Sequence, residues 1–183
     1  MTRVFKSYMP LAVTHILVPA ILADIYRDHF SKKKFSLHYI YISGLVGLLP
    51  DIDILFFYVF NLFRDFAISD FHRTYTHAIF FPLIFLILYF LTGNINPKFL
   101  RKYKLKLNYI FLAITFGTVL HLALDGFLSG GLRPFFPFSE YVFDLNLIPM
   151  DRFSGTFFQG LDAILLVIWL LHEEIKHKIS DFI

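Results

Sequence analysis

LNYIFLAITFGTVLHLALDGF, residues 107–127, is an apolar run with no charged residue before Asp125. About 20 such residues cross the hydrocarbon core of a bilayer as a helix. The run ends on His121 and Asp125, spaced i, i+4. On a helix these two stack on one face, about 6 Å apart along the axis. An imidazole nitrogen and a carboxylate oxygen so placed can bind one ion, or the Asp can bridge two. The plainer alternative is a His–Asp hydrogen bond at a helix end facing water. A carboxylate at the centre of a membrane helix costs roughly 3 kcal/mol, so its presence needs a reason.

The rest of the chain has the same character. Of 183 residues, 57% are hydrophobic and 25 are Phe, and the mean hydropathy is +0.63. A soluble domain is about 45–50% apolar. Five apolar segments stand out, at about 8–26, 37–63, 77–91, 107–127 and 157–171, the second interrupted at Pro50. The third and fifth are short for a full crossing. The fold class expected is all-α: a bundle of about five transmembrane helices with a broken second helix and a long outer loop after the fourth. Residues 1–183 are read as one membrane-embedded domain. Arg3 and Lys6 before an apolar run imitate a signal peptide, but His15 interrupts that run and no small-residue cleavage site closes it. There is no cysteine. Disulfides, iron–sulfur clusters and thiolate ligands are excluded, and any metal must use imidazole and carboxylate.

The basic residues are uneven. Residues 27–36, residues 92–106 and the tail hold eleven of them, against six on the opposite side: Arg3, Lys6, Arg64, Arg73, Arg133 and Arg152. The positive-inside rule puts the larger group in the cytoplasm and the 64–76 and 128–156 loops outside. Lysines at the ends of apolar runs fit a membrane surface rather than nucleic acid, which is not an expected partner.

Three further groups of ionisable residues interrupt the apolar segments. LPDID, residues 49–53, sets Asp51 and Asp53 behind a proline that breaks helix geometry. Either acid can cap the helix that follows, but two at membrane depth exceed what a cap needs, and Asp51 is the stronger metal candidate. HRTYTH, residues 72–77, opens the third segment. His77 is expected in the first helical turn, capped by Thr74 or Thr76, as a ligand. His72 is a ligand or an acid–base group, and Arg73 a clamp for an anion such as phosphate. The interfacial alternative has His and Arg meeting headgroups. His15 stands alone on an apolar helix, where a satisfied core histidine is the ordinary reading. Under the topology above, all four groups converge on the outer half of one bundle. Uncompensated, three carboxylates would oppose folding by roughly 9 kcal/mol. Bound structural zinc contributes on the order of 10–16 kcal/mol in peptides. Asp162 is a candidate to orient a ligand histidine. Asp24, His29 and His38 are assigned to the inner interface in contact with water, and His172 and His177 to a solvated helix end.

Taken together, Thr14-His15, LLPDID at 48–53, HRxxTH at 72–77, His-x-x-x-Asp at 121–125 and GLRPFFPFS at 131–139 resemble the YdjM-like family, membrane-bound proteins read as metal-dependent hydrolases. The resemblance runs from His15 to Ser139. It implies that His15, Asp51, His77, His121 and Asp125 occupy the metal-binding positions. The order of the motifs is also similar to that of zinc-dependent phospholipases C. Two departures are Thr74, where the family has Gly after His-Arg, and Ile54, where a polar residue follows Asp-x-Asp.

The function expected is hydrolysis of a phosphoester or lipid-like substrate by metal-activated water. One to three divalent ions would serve, zinc first and Mn, Fe or Mg after it. Asp53 or His72 is the general base and Arg73, with Arg133, holds the anionic group. The partner is a membrane lipid or lipid-linked molecule, and the location is the cell (inner) membrane with the site facing out. The aromatic loop 133–138 is either a substrate contact or an interfacial anchor. Two other classes stand beside this one: a metal or proton transporter, disfavoured by the lack of an internal repeat, and an adaptor with a structural metal. Oligomeric state is not legible.

Overall fold

The computed structural model describes residues 12–63, 65, 72–129, 131–145, 147–148 and 154–178. The described chain is helical: α1 (Ala12–Ile25), α2 (His38–Leu45), α3 (Ile52–Asn61), α4 (Phe80–Leu91), α5 (Lys98–Arg101), α6 (Leu107–Leu124) and α7 (Ser154–His177). Among the described residues the only extended pairing is a bridge between Leu132 and Phe143 in the connection from α6 to α7.

The second apolar segment breaks where expected. After α2 comes a tight turn, Val46–Leu48, then Pro50, then α3. Proline removes a backbone donor and disfavours helix in the residue before it, and the two halves meet at 42°.

Among the described residues, fewer than five helices are long and apolar enough to cross. Leu107–Leu128 and Thr156–Lys176 are each long and apolar enough to span, and the bent pair His38–Leu48 with Ile52–Asn61 makes a third if it is one span. α4 has 12 residues, about 18 Å at 1.5 Å each, which is too short. The apolar run overstates this helix because residues 77–79 are not part of it: Ala78 is extended and α4 starts at Phe80. α1 has 14 described residues; residues 8–11 of the expected first segment lie outside the description, as do Arg3, Lys6, Arg64 and Arg152.

α6 is the central helix. It packs against α4, α2 and α1, and α1 packs in turn against α2 and α7. Two glycines permit this. A Cβ on Gly117 would lie 2.3 Å from the Ser43 carbonyl oxygen, and one on Gly47 would lie 2.0 Å from that of His15. Small residues let membrane helices approach until their backbones touch. The interior is polar for so apolar a chain: His15, His77, His121 and Asp125 are all buried, whereas Leu55, Phe60, Phe90 and Ile164 are exposed. Apolar side chains outside and clustered polar groups inside suit a helical protein bathed in lipid.

Candidate metal centre

Four elements bring their ionisable residues to one point. His15 comes from the first half of α1. Asp51 sits at the break before α3. His77 ends the turn Tyr75–His77. His121 lies in the last turn of α6, and Asp125 opens the wider π turn Asp125–Ser129 that continues it. Such turns recur at functional sites because they swing side chains off the regular helical track.

The two central histidines are oriented from behind. His121 Nδ1 lies 2.6 Å from the Gly47 carbonyl oxygen, so Nδ1 carries the proton and donates. His77 Nδ1 lies 3.1 Å from Asp53 Oδ2 and therefore donates to that carboxylate. Both Nε2 atoms are left with lone pairs, and they face each other at 3.2 Å. In neutral rings, two lone pairs at that separation repel unless a proton or a metal ion lies between them.

Two carboxylate oxygens complete the group. Asp51 Oδ1 is 3.4 Å from His77 Nε2 and 3.6 Å from His121 Nε2. Asp125 Oδ2 is 3.5 Å and 3.6 Å from the same atoms. Zinc bonds of about 2.0–2.1 Å give a tetrahedron with edges of about 3.3–3.4 Å. The five distances therefore match the edges of such a coordination shell. The buried Asp51 Oδ1 accepts no hydrogen bond among the described residues, and neither does either ring nitrogen of His15. The other oxygen of Asp125, Oδ1, lies 3.5 Å from His15 Nε2, so Asp125 can serve two positions at once. Counting imidazoles as neutral, three carboxylates and the Arg73 guanidinium leave two negative charges, which one divalent cation carries.

Asp53 lies behind the centre rather than in it. It accepts from the Thr76 hydroxyl (2.9 Å) and the Arg73 backbone N–H (3.3 Å), and meets His72 Nδ1 at 3.1 Å as well as His77. Arg73 adopts a left-handed backbone, φ 60, at a cost of about 1–3 kcal/mol for a non-glycine residue. That conformation turns its N–H toward Asp53 while its Nη2 reaches Asp125 Oδ1 at 3.5 Å. Neither expected cap forms. Asp51 occupies the N-cap of α3 without a side-chain cap bond, and Thr76 is engaged by Asp53. Ile54, the second departure, follows Asp53 within α3 and leaves both acids where the cluster needs them.

The neighbouring surface is aromatic. A cavity of about 350 Å³ is lined by Asp53, Phe56, Phe60 and Tyr75, among others. The 133–138 loop folds over the start of α4: Ile79 donates to the Pro134 carbonyl (2.9 Å), and Phe136 and Phe138 pack against Tyr75 and Phe80. Arg133 is turned toward Glu140 (3.4 Å) and over the Phe136 ring. Asp162 accepts from the Thr14 hydroxyl, fastening α7 to α1 one residue from His15 without touching an imidazole.

Asp24 and His172, expected in contact with water, pair with each other, and only His172 keeps partial exposure. Asp24 is fully buried, and His172 Nε2 lies 2.9 Å from its carboxylate. Asp28 stands beside them, bound by Arg27 (2.8 Å) and Lys34 (3.2 Å). The i, i+4 spacing of Asp24 and Asp28 was the available signal; the distant His172 had none. Its own basic residues already neutralise this group, which lies at the opposite end of the bundle.

The sequence profile of the YdjM inner membrane protein family matches residues 9–179. No curated protein and no solved structure matches the chain.

Proposed function

The chain belongs to the YdjM inner membrane protein family, and from that premise we propose that it is a metal-dependent hydrolase acting on a phosphoester of a lipid-like molecule. The observation that supports this most is the pair of oriented imidazoles, Nε2 to Nε2 at 3.2 Å, closed by oxygens of Asp51 and Asp125. The donor set of nitrogen and oxygen fits zinc first, with Mn, Fe or Mg as alternatives. A bound divalent ion would polarise a phosphoryl oxygen and lower the pKa of a water to about 7. His77, His121, Asp51 and Asp125 would hold it, with His15 as a further ligand or the start of a second position.

The protein's own groups have distinct tasks in this reading. Asp53 is a positioning residue: it fixes the tautomer and angle of His77, as carboxylates behind metal-bound histidines do. Its oxygens are engaged by four neighbours, so the general-base role passes to His72, whose Nδ1 faces Asp53. Arg73 holds the anionic group beside Asp125. The aromatic cavity at Phe56, Phe60 and Tyr75 accepts the apolar part of the substrate. The charge bias of the loops turns the centre toward the outer face.

One observation favours a second reading. Four protein donors at tetrahedral separations are also the ligand count of a structural site. Mass spectrometry of detergent-purified protein decides first whether metal is present. One or more equivalents in the wild type, absent from His121→Ala/Asp125→Ala, is the expected result. Wild type that stays metal-free after incubation with Zn or Mn would overturn both readings. Turnover of phosphoester lipids by the metal-loaded wild type, lost on chelation, separates the hydrolase from the structural site; metal that only raises the unfolding temperature favours the latter.

A further inference from the structure

At the end of the bundle away from the metal centre, residues of α1, α2 and α6 and of the loops beside them line a cavity of about 950 Å³. That volume is at the upper end of the roughly 300–1,000 Å³ of small-molecule sites. Its walls include Leu22, Leu112 and Phe116, and Lys33, Lys34, Lys104 and Lys106 stand at its rim. The two lysine loops are tied together. The Ser36 hydroxyl donates to the Tyr103 carbonyl (3.3 Å), and the Lys106 backbone N–H donates to the Tyr39 hydroxyl (2.7 Å). Lys34 is matched by Asp28. Among the described residues, Lys33, Lys104 and Lys106 have no carboxylate partner. Gathering three such cations at one rim raises their mutual repulsion, which an anion would relieve.

The depth of the cavity decides which anion. Phe116 is nine residues into the span that starts at Leu107, about 14 Å along the axis. That places the floor within the hydrocarbon, where only an acyl chain belongs. We propose that this cavity binds one anionic phospholipid, its chains against Leu22, Leu112 and Phe116 and its phosphate on Lys33, Lys104 and Lys106. Basic pockets between helices on the cytoplasmic side suit such headgroups. The site is separate from the metal centre and does not depend on the hydrolase reading.

Native mass spectrometry of delipidated full-length protein tests this, with phosphatidylglycerol, phosphatidylcholine or glycerol phosphate added. The expected result is one retained phosphatidylglycerol per chain, in preference to phosphatidylcholine. Each lysine is worth about fivefold, so Lys33→Gln/Lys104→Gln/Lys106→Gln should cut that preference by an order of magnitude or more. Ala23→Trp, which sets an indole into the cavity beside Leu22, should weaken retention with helix content unchanged by circular dichroism. Equal retention of the two lipids by the wild type would overturn the proposal. So would retention unchanged in the lysine variant, or displacement of the lipid by equimolar glycerol phosphate, which would mark a phosphate site without a chain.

Discussion

Asp53 meets the Thr76 hydroxyl, the Arg73 backbone N–H and the His72 and His77 rings without pointing into the centre. It joins the turn at 72–77 to α3 and sets the direction of His77. Removing its charge while keeping its shape, as in Asp53→Asn, should weaken metal binding about 10–100-fold, read by competition with a chromophoric chelator, and leave the fold intact. Unchanged affinity would sink the positioning role. The residues that meet were legible because ionisable groups are conspicuous in apolar runs: His15, Asp51, His77, His121 and Asp125 all come together. The direction each side chain faces was not legible. Nothing in the spacing of HRTYTH tells that the left-handed residue is Arg73, or that Thr76 serves Asp53 instead of a helix end.

At the scale of elements, the centre depends on how closely three backbones approach. Gly47 touches α1 through the His15 carbonyl and holds α6 through His121. Gly47→Ala would drive a methyl group into backbone that cannot move aside. Such overpacking costs about 1–3 kcal/mol or more, and here it should lower both the unfolding temperature and the metal content. Gly160→Ala, in open space on α7, should be neutral or stabilise by about 0.5–1 kcal/mol. Equal effects at the two sites would show that close packing at Gly47 is unimportant. The helices themselves were legible from apolar run and proline. Their lengths were not, since hydropathy continues through the extended residue Ala78, and α4 is shorter than its run.

The whole molecule has two chemically different ends, lysines and a lipid-sized cavity at one, imidazoles and carboxylates nearer the other. The chain has no cysteine, so a single introduced thiol reports orientation cleanly. In spheroplasts a membrane-impermeant maleimide should label Phe138→Cys and spare Lys32→Cys until the membrane is opened; the reverse pattern would invert the topology. The bend at Pro50 also has a consequence for biogenesis. Asp51 and Asp53 emerge from the ribosome well before His77 and long before His121, the groups that accommodate them. Until then the bent pair is a poor passenger for the bilayer, too polar at its elbow to leave the insertion machinery as a finished hairpin. Chains truncated before residue 107 should therefore fail alkaline extraction as integral proteins and be degraded quickly, whereas chains reaching residue 130 should be retained. On this account, insertion of the second segment is completed only when the sixth helix arrives.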